Sequence, residues 1–280
     1  MTGFASDDGT RLAYEQVGSG PPLLCVPGGP GRAAAYLEDL AGLSEVRTLV
    51  LLDPRATGRS EVPADPASLR FDRMAGDLDA LRRHVGLDKA DVLGHSAGCI
   101  VVQAFAAAHP DAVGRLVLVT PSDRLQGGGR GDVAAVREAR SDEPWYADAA
   151  EAQAALTDAP PAQAQSLVRA TRPFFYGRWD ERTQAHAASA DRQSSRRAEL
   201  GFGAGAEDVD VAGLLAALRE VQAPVLVVGG ERDALTGVAS VFRVAAAFAT
   251  ATAEVLPRAG HFPWVDEPAA FRAVVEPFLR

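Results

Sequence analysis

Cysteine is scarce: only Cys25 and Cys99 occur, each beside apolar residues. Two such residues make no disulfide framework, and both read as small buried hydrophobes of a reducing compartment. Long apolar runs are also missing. None approaches the ~18 residues that would suggest a membrane span. The opening Met-Thr-Gly-Phe-Ala-Ser-Asp-Asp-Gly has no basic n-region and no apolar h-region, unlike a signal peptide. A soluble cytoplasmic protein is therefore expected. There is no basic tract: 28 basic residues lie scattered among 37 acidic ones, for a net charge of −9. That balance speaks against a nucleic-acid partner or an anionic membrane surface. No internal repeat occurs.

What the chain does have is 280 residues, 47% of them apolar, enough for a sizeable core. Short apolar runs suited to strands buried on both faces fall at residues 23–26, 46–52, 90–93 and 115–119. Helical patterns lie between them, at residues 32–43, 71–85 and 97–109. In the second of these, Phe71, Met74, Leu78, Leu81 and Val85 form one apolar stripe. Apolar runs vanish over residues 122–210, where short helices are expected. Alternation resumes over 211–219, 224–228, 238–248 and 254–256, with a last helix over 268–279. This pattern predicts an α/β fold with a mostly parallel sheet covered on both faces. Residues 1–121 and 211–280 would form the core, and 122–210 an inserted helical unit.

The chemistry centres on Gly94-His-Ser-Ala-Gly98, which joins a predicted strand to a predicted helix. This is the G-x-S-x-G spacing of a nucleophile elbow, a turn so tight that side chains on the flanking residues would clash. Ser96 is then a nucleophile that needs a base. Of five histidines, His84 and His109 sit at predicted helix C-termini, where a dipole role suffices. His95 should point away from the serine, and His186 reads as a surface residue of the polar insertion. His261, in a loop after a predicted strand, is the candidate base. Elbow proteins of this kind carry their acid between the serine and the histidine in the chain. The turn after residues 224–228 offers Asp233, with Glu231 as a nearby alternative. Two oxyanion donors are required. The Ala97 amide supplies one, and the Pro27-Gly-Gly-Pro-Gly31 loop the other. Pro30 has no N–H, so Gly29 is the candidate there.

Together these residues resemble the α/β-hydrolase superfamily, and within it the proline iminopeptidase-like serine peptidases. Pro27-Gly-Gly-Pro-Gly31 is similar to that branch's H-G-G-P-G loop. Asp53-Pro-Arg-Ala-Thr-Gly-Arg-Ser60 is similar to its D-x-R-G-x-G-R-S loop. Pro27, Ala56 and Ala97 stand where the branch has histidine, glycine and tryptophan. The resemblance implies an α/β-hydrolase fold, residues 122–210 as a helical cap, a Ser96–His261–Asp233 triad, and neither metal nor organic cofactor. It also implies cap carboxylates that hold a substrate amine, drawn from Asp180, Glu181, Glu199 and Glu207 among others. Phe175 and Tyr176 lie in the most aromatic stretch of the insertion. They would line an apolar pocket or form the cap's own small core. Trp264 is expected to border the site. The expected substrate is a small-molecule or short-peptide amide or ester, as in an aminopeptidase, with a carboxylesterase or lactonase as the alternative. A hydrolase-fold binding protein with incidental turnover is a second alternative. Epoxide hydrolase or dehalogenase chemistry would need a carboxylate at position 96.

Overall fold

A computed structural model describes residues 2–129 and 131–280, without the side chain of Pro161. Eight strands form one sheet: β1 (Thr2–Ala5), β2 (Arg11–Gly18), β3 (Pro22–Val26), β4 (Thr48–Leu52), β5 (Ala90–His95), β6 (Val113–Val119), β7 (Val225–Gly230) and β8 (Ala251–Leu256). Their order is β1-β2-β4-β3-β5-β6-β7-β8. β1 and β2 are antiparallel to their neighbours, and every later pair is parallel. Helices α1 (Phe71–His84) and α2 (Gly98–Ala108) precede β6 and cover one face. Between β6 and β7 the chain holds α3 (Val133–Glu138), α4 (Tyr146–Ala155), α5 (Pro161–Ala170), α6 (Glu181–Gln193), α7 (Arg196–Phe202) and α8 (Val211–Arg219). Helices α9 (Ala239–Ala245), α10 (Pro263–Asp266) and α11 (Pro268–Leu279) follow.

The period-two geometry of the strands explains why their sequences read as unbroken apolar runs. Leu24, Val50, Val92, Leu116 and Val227 face the side of α1 and α2. Leu23, Leu49, Leu93, Val117 and Val228 face the side of α11 and Trp264. Both faces are covered, so no position is left for a polar residue. Cys25 and Cys99 are buried free thiols, and burial pushes both up from the ordinary thiol range. No helix among the described residues is long and apolar enough to cross a membrane.

The helix expected over residues 32–43 does not form. A single 3-10 turn, Ala34–Leu37, is followed by Glu38, Leu40 and Ala41 at φ of 52°, 51° and 59°. Leu37, Leu40 and Leu43 are nevertheless fully buried. The leucines reach the core through successive turns, because tertiary hydrogen bonds claim this backbone. The Ala33 amide donates to Gln193 O, and the Ala34 amide to the Asp53 carboxylate, at 2.9 Å each.

The loop at residues 53–60 is fixed from within. A Cβ on Gly58 would lie 2.2 Å from Asp53 Oδ2, so the turn that lets this carboxylate accept from the Arg59 amide admits only glycine. Beside it, Arg55 donates to Asp77 of α1 through Nε at 2.6 Å and Nη2 at 2.5 Å, and also pairs with Asp8. Burial pushes the Asp77 carboxyl up even against this cation. Removing one partner of such a pair costs more than removing both. Arg55→Met should therefore lower the unfolding free energy by about 3–5 kcal/mol. The double variant Arg55→Met/Asp77→Leu should recover most of that loss in equilibrium denaturation.

Candidate active site

The centre of the site is a strained turn. Ser96 follows β5 at φ 55°, a left-handed conformation that costs an L-residue about 1–2 kcal/mol. Its amide donates to Val119 O at 2.9 Å, and its carbonyl accepts from the Cys99 amide as α2 begins. The flanking glycines are required by their surroundings. A Cβ on Gly98 would lie 2.5 Å from the carbonyl oxygens of Val26 and Pro27, and one on Gly94 would lie 2.9 Å from Val102.

His261 lies in the loop after β8, and its Nδ1 is 2.8 Å from Asp233 Oδ2. Asp233, just beyond β7, also accepts from the amides of Leu235 and Thr236 and from the Thr236 hydroxyl, the last at 2.6 Å. Burial opposes ionisation of Asp233. The His261 ring and these donors outweigh it and hold the carboxyl below the usual range. Glu231 is elsewhere: its carboxylate accepts from the Arg258 amide, and it lines a separate cavity of about 550 Å³.

Ser96 and His261 open into one cavity of about 740 Å³, which Gly29 also lines. The Pro27–Gly31 loop lies hard against the elbow, and a Cβ on Gly28 would be 2.8 Å from Ser96 Cβ. The Gly28 amide is already taken, donating to the Tyr36 hydroxyl at 2.7 Å. The Gly29 and Ala97 amides find no acceptor among the described residues.

His95 does point away from the serine, but it is part of the frame. Its Nε2 must donate to the carbonyl of His261, 2.9 Å away, so its Nδ1 accepts from the Tyr36 hydroxyl at 2.6 Å. Burial, and then the neighbouring His261, holds His95 well below the ordinary histidine range, in keeping with this neutral tautomer. One chain of hydrogen bonds thus joins the Gly28 loop, the elbow and the His261 loop.

His186 is not a surface residue. It is 5% exposed, because α6 carries it on its buried face with Thr183 and Ala187, behind the cavity wall. Nε2 donates to the Tyr36 carbonyl at 2.9 Å, and Nδ1 accepts from the Tyr176 hydroxyl at 2.7 Å. Phe175 and Tyr176 both line the cavity and also pack as core. Tyr176 stacks on Phe262 at 4.9 Å, and the Phe175 carbonyl accepts from the His261 amide.

Two expected positions lie outside the cavity. Trp264 is buried behind it, edge-on to His95 at 4.8 Å, because α10 turns residue 264 inward and leaves Phe262 at the wall. Glu181 is exposed on the first turn of α6, where the Asp180 capping box starts the helix. Of the expected cap acids, Glu199 does line the cavity, 2.9 Å from Arg196. Arg32 and Tyr36 were not anticipated. Apart from their nearness to the glycine loop, nothing in the sequence pattern marks them. Among the described residues, no group of three or more His, Cys, Asp or Glu side chains is placed to hold a metal ion.

The model of the alpha/beta hydrolase fold family matches residues 21–268. A proline iminopeptidase from Heyndrickxia coagulans is 30% identical over 122 residues, covering 42% of each chain. The match to that curated relative thus spans about two-fifths of its length. Among solved structures, an esterase from a Rhodococcus species superposes with a TM-score of 0.74 at 22% identity, over 99% of this chain and 98% of that one. The enol-lactonase from Burkholderia xenovorans gives 0.70 at 22% identity, over 99% of both chains.

Burial holds His186 at about 4, against an ordinary value of 6.5. Between these values the unfolded chain binds a proton that the native state excludes, so native stability falls as pH drops from 6.5 to 4. The contribution is at most about 1.4 kcal/mol per pH unit. Burial pushes Asp266 up to about 6, which gives the opposite slope. That slope is common to wild type and His186→Gln. The difference in their unfolding free energies, measured across this window, should therefore move against wild type as pH falls.

Proposed function

Because the chain belongs to the α/β-hydrolase fold family, we propose that it is a serine hydrolase acting on small-molecule esters or lactones through an acyl-enzyme. The observation that carries this reading is the 2.8 Å contact between His261 Nδ1 and Asp233. It leaves Nε2 as the open ring nitrogen, in a cavity shared with Ser96. In the proposed reaction Ser96 Oγ attacks the substrate carbonyl and His261 Nε2 takes its proton. The Gly29 and Ala97 amides stabilise the tetrahedral oxyanion. His261 then returns the proton to the leaving oxygen, and water releases the acid by the same steps in reverse. Asp233 fixes the tautomer and supports the imidazolium. Residues 122–210 act as a helical cap, with α5, α6 and Phe175 closing the cavity over the serine.

The ester reading is preferred to the aminopeptidase reading for an electrostatic reason. A substrate amine needs free carboxylates. Of those lining the cavity, Asp191 is bound to Arg172 at 2.5 Å and to Arg169 at 3.1 Å, and Glu199 to Arg196. Much of the remaining wall is apolar, including Val168, Phe175, Leu235 and Phe262. The likeness to proline iminopeptidases keeps the second reading in play.

Ser96→Ala should abolish both turnover and fluorophosphonate labelling. Labelling that persisted at another residue would remove Ser96 from this role. Asp233→Asn should lower kcat by about 10⁴-fold, as loss of the orienting acid does elsewhere, and Glu231→Gln should stay near wild type. Acyl p-nitrophenyl esters should be cleaved in preference to aminoacyl p-nitroanilides. A strict need for a free amine would reverse that order.

A further inference from the structure

The four buried arginines among the described residues are Arg32, Arg47, Arg55 and Arg140. Three have a carboxylate: Arg47 has Asp91 at 2.7 Å, Arg55 has Asp77, and Arg140 has Glu143 at 3.4 Å. Arg32 has none among the described residues, although it is only 6% exposed. Its partners are neutral. Nε donates to Gln193 Oε1 at 3.0 Å, and Nη2 to Ser189 Oγ at 2.9 Å. The guanidinium also lies 4.1 Å over the Tyr36 ring. Nη1 has no acceptor among the described residues, and it is not among the polar atoms sealed off without a partner. It therefore opens into the cavity that Arg32 shares with Ser96 and His261.

A buried cation without a counter-charge is costly, and a bound anion would relieve that cost. Burial already draws the Arg32 pKa down. Arg172, another cation on the cavity wall, is answered by Asp191. Glu38, the carboxylate that acts on Arg32 from beyond ion-pair distance, is itself paired with Arg182 at 3.2 Å, so Arg32 is the centre in want of negative charge. Nε is spent on Gln193, and Nη2 on Ser189 Oγ and, at 3.5 Å, on the His186 carbonyl, so only the Nη1 edge remains. That edge suits one oxygen of a carboxylate. We propose that Arg32 is a substrate-recognition residue that binds a carboxylate, so that the substrate is an ester or lactone also bearing a free carboxylate. This rests on the serine-hydrolase reading for the reaction, but not for the binding.

The test separates the two. Binding of monomethyl adipate and of its neutral diester, dimethyl adipate, is measured by calorimetry on Ser96→Ala. Turnover of both esters is measured separately on wild type. The monoester should bind about 10- to 100-fold more tightly than the diester, as a charged hydrogen bond allows. Arg32→Gln in the same background should bring the two affinities together, and Arg32→Lys should keep part of the difference. Circular dichroism checks that each variant is folded. Equal binding of monoester and diester by the Ser96→Ala protein overturns the proposal, and so does a preference that survives Arg32→Gln. If Arg32→Gln does not fold, loss of the preference in Arg32→Ala decides for the proposal, and its persistence there, or equal binding in the parent, decides against it. If the preference is present but wild type cleaves neither ester, the hydrolase reading fails and the anion site stands.

Discussion

The site depends on His95 remaining neutral. Its imidazole must accept from Tyr36 on one side and donate to the His261 carbonyl on the other. Protonation would put a second donor against the Tyr36 hydroxyl, which already receives the Gly28 amide. Burial guards against this, since desolvation is the largest influence holding the imidazole uncharged. Trp264 and Phe262 complete that guard: their rings lie 4.8 Å and 5.3 Å from His95. Thus the residue just before the strained serine sets the relative placement of the glycine loop and the histidine loop. The fold delivers these parts separately, from the ends of β3, β5 and β8, and His95 makes them one object.

Some of this was legible in the chain because the physics behind it is local. The elbow needs glycine on both sides of Ser96 for reasons found within a few residues and the adjoining strand. Parallel strands buried on both faces have no choice but to be apolar. Elimination among the histidines points to His261 and chain order to Asp233 or Glu231; in the structure Asp233 contacts His261, while the Glu231 carboxylate turns to the Arg258 amide. The illegible parts depend on distant contacts. His186 meets Tyr36 across 150 residues, and Tyr36 meets His95 across 59. No spacing rule reaches that far, so an imidazole in a polar helix reads as surface.

The segment at 32–43 failed for a related reason. Its three leucines have helical spacing, yet Ala33 and Ala34 give their amides to Gln193 and Asp53 rather than to a helix. Trp264 was misplaced by two positions, because a short helix starting at Pro263 rotates it from the wall into the interior. In both cases the apolar residues are buried as their character demands. What the pattern could not supply was the direction from which they arrive.

One small feature limits how the cavity can breathe. The start of α7 and the glycine loop are laced together. Ser195 N donates to Gly31 O at 2.8 Å, Ala33 N to Gln193 O at 2.9 Å, and Arg32 and Ser194 form an antiparallel bridge. Gly31 is pressed against this seam, since a Cβ there would lie 2.7 Å from the Glu199 amide. Lifting the helical segment as one rigid flap would therefore tear the loop that faces the serine. On the α5 side the tie is a side-chain one: α5 packs on α4, and Arg169 at its end pairs with Asp191 of α6 at 3.1 Å. The seam at 193–195 is thus the side of the cavity held by backbone hydrogen bonds, while the α5 side is held by side chains.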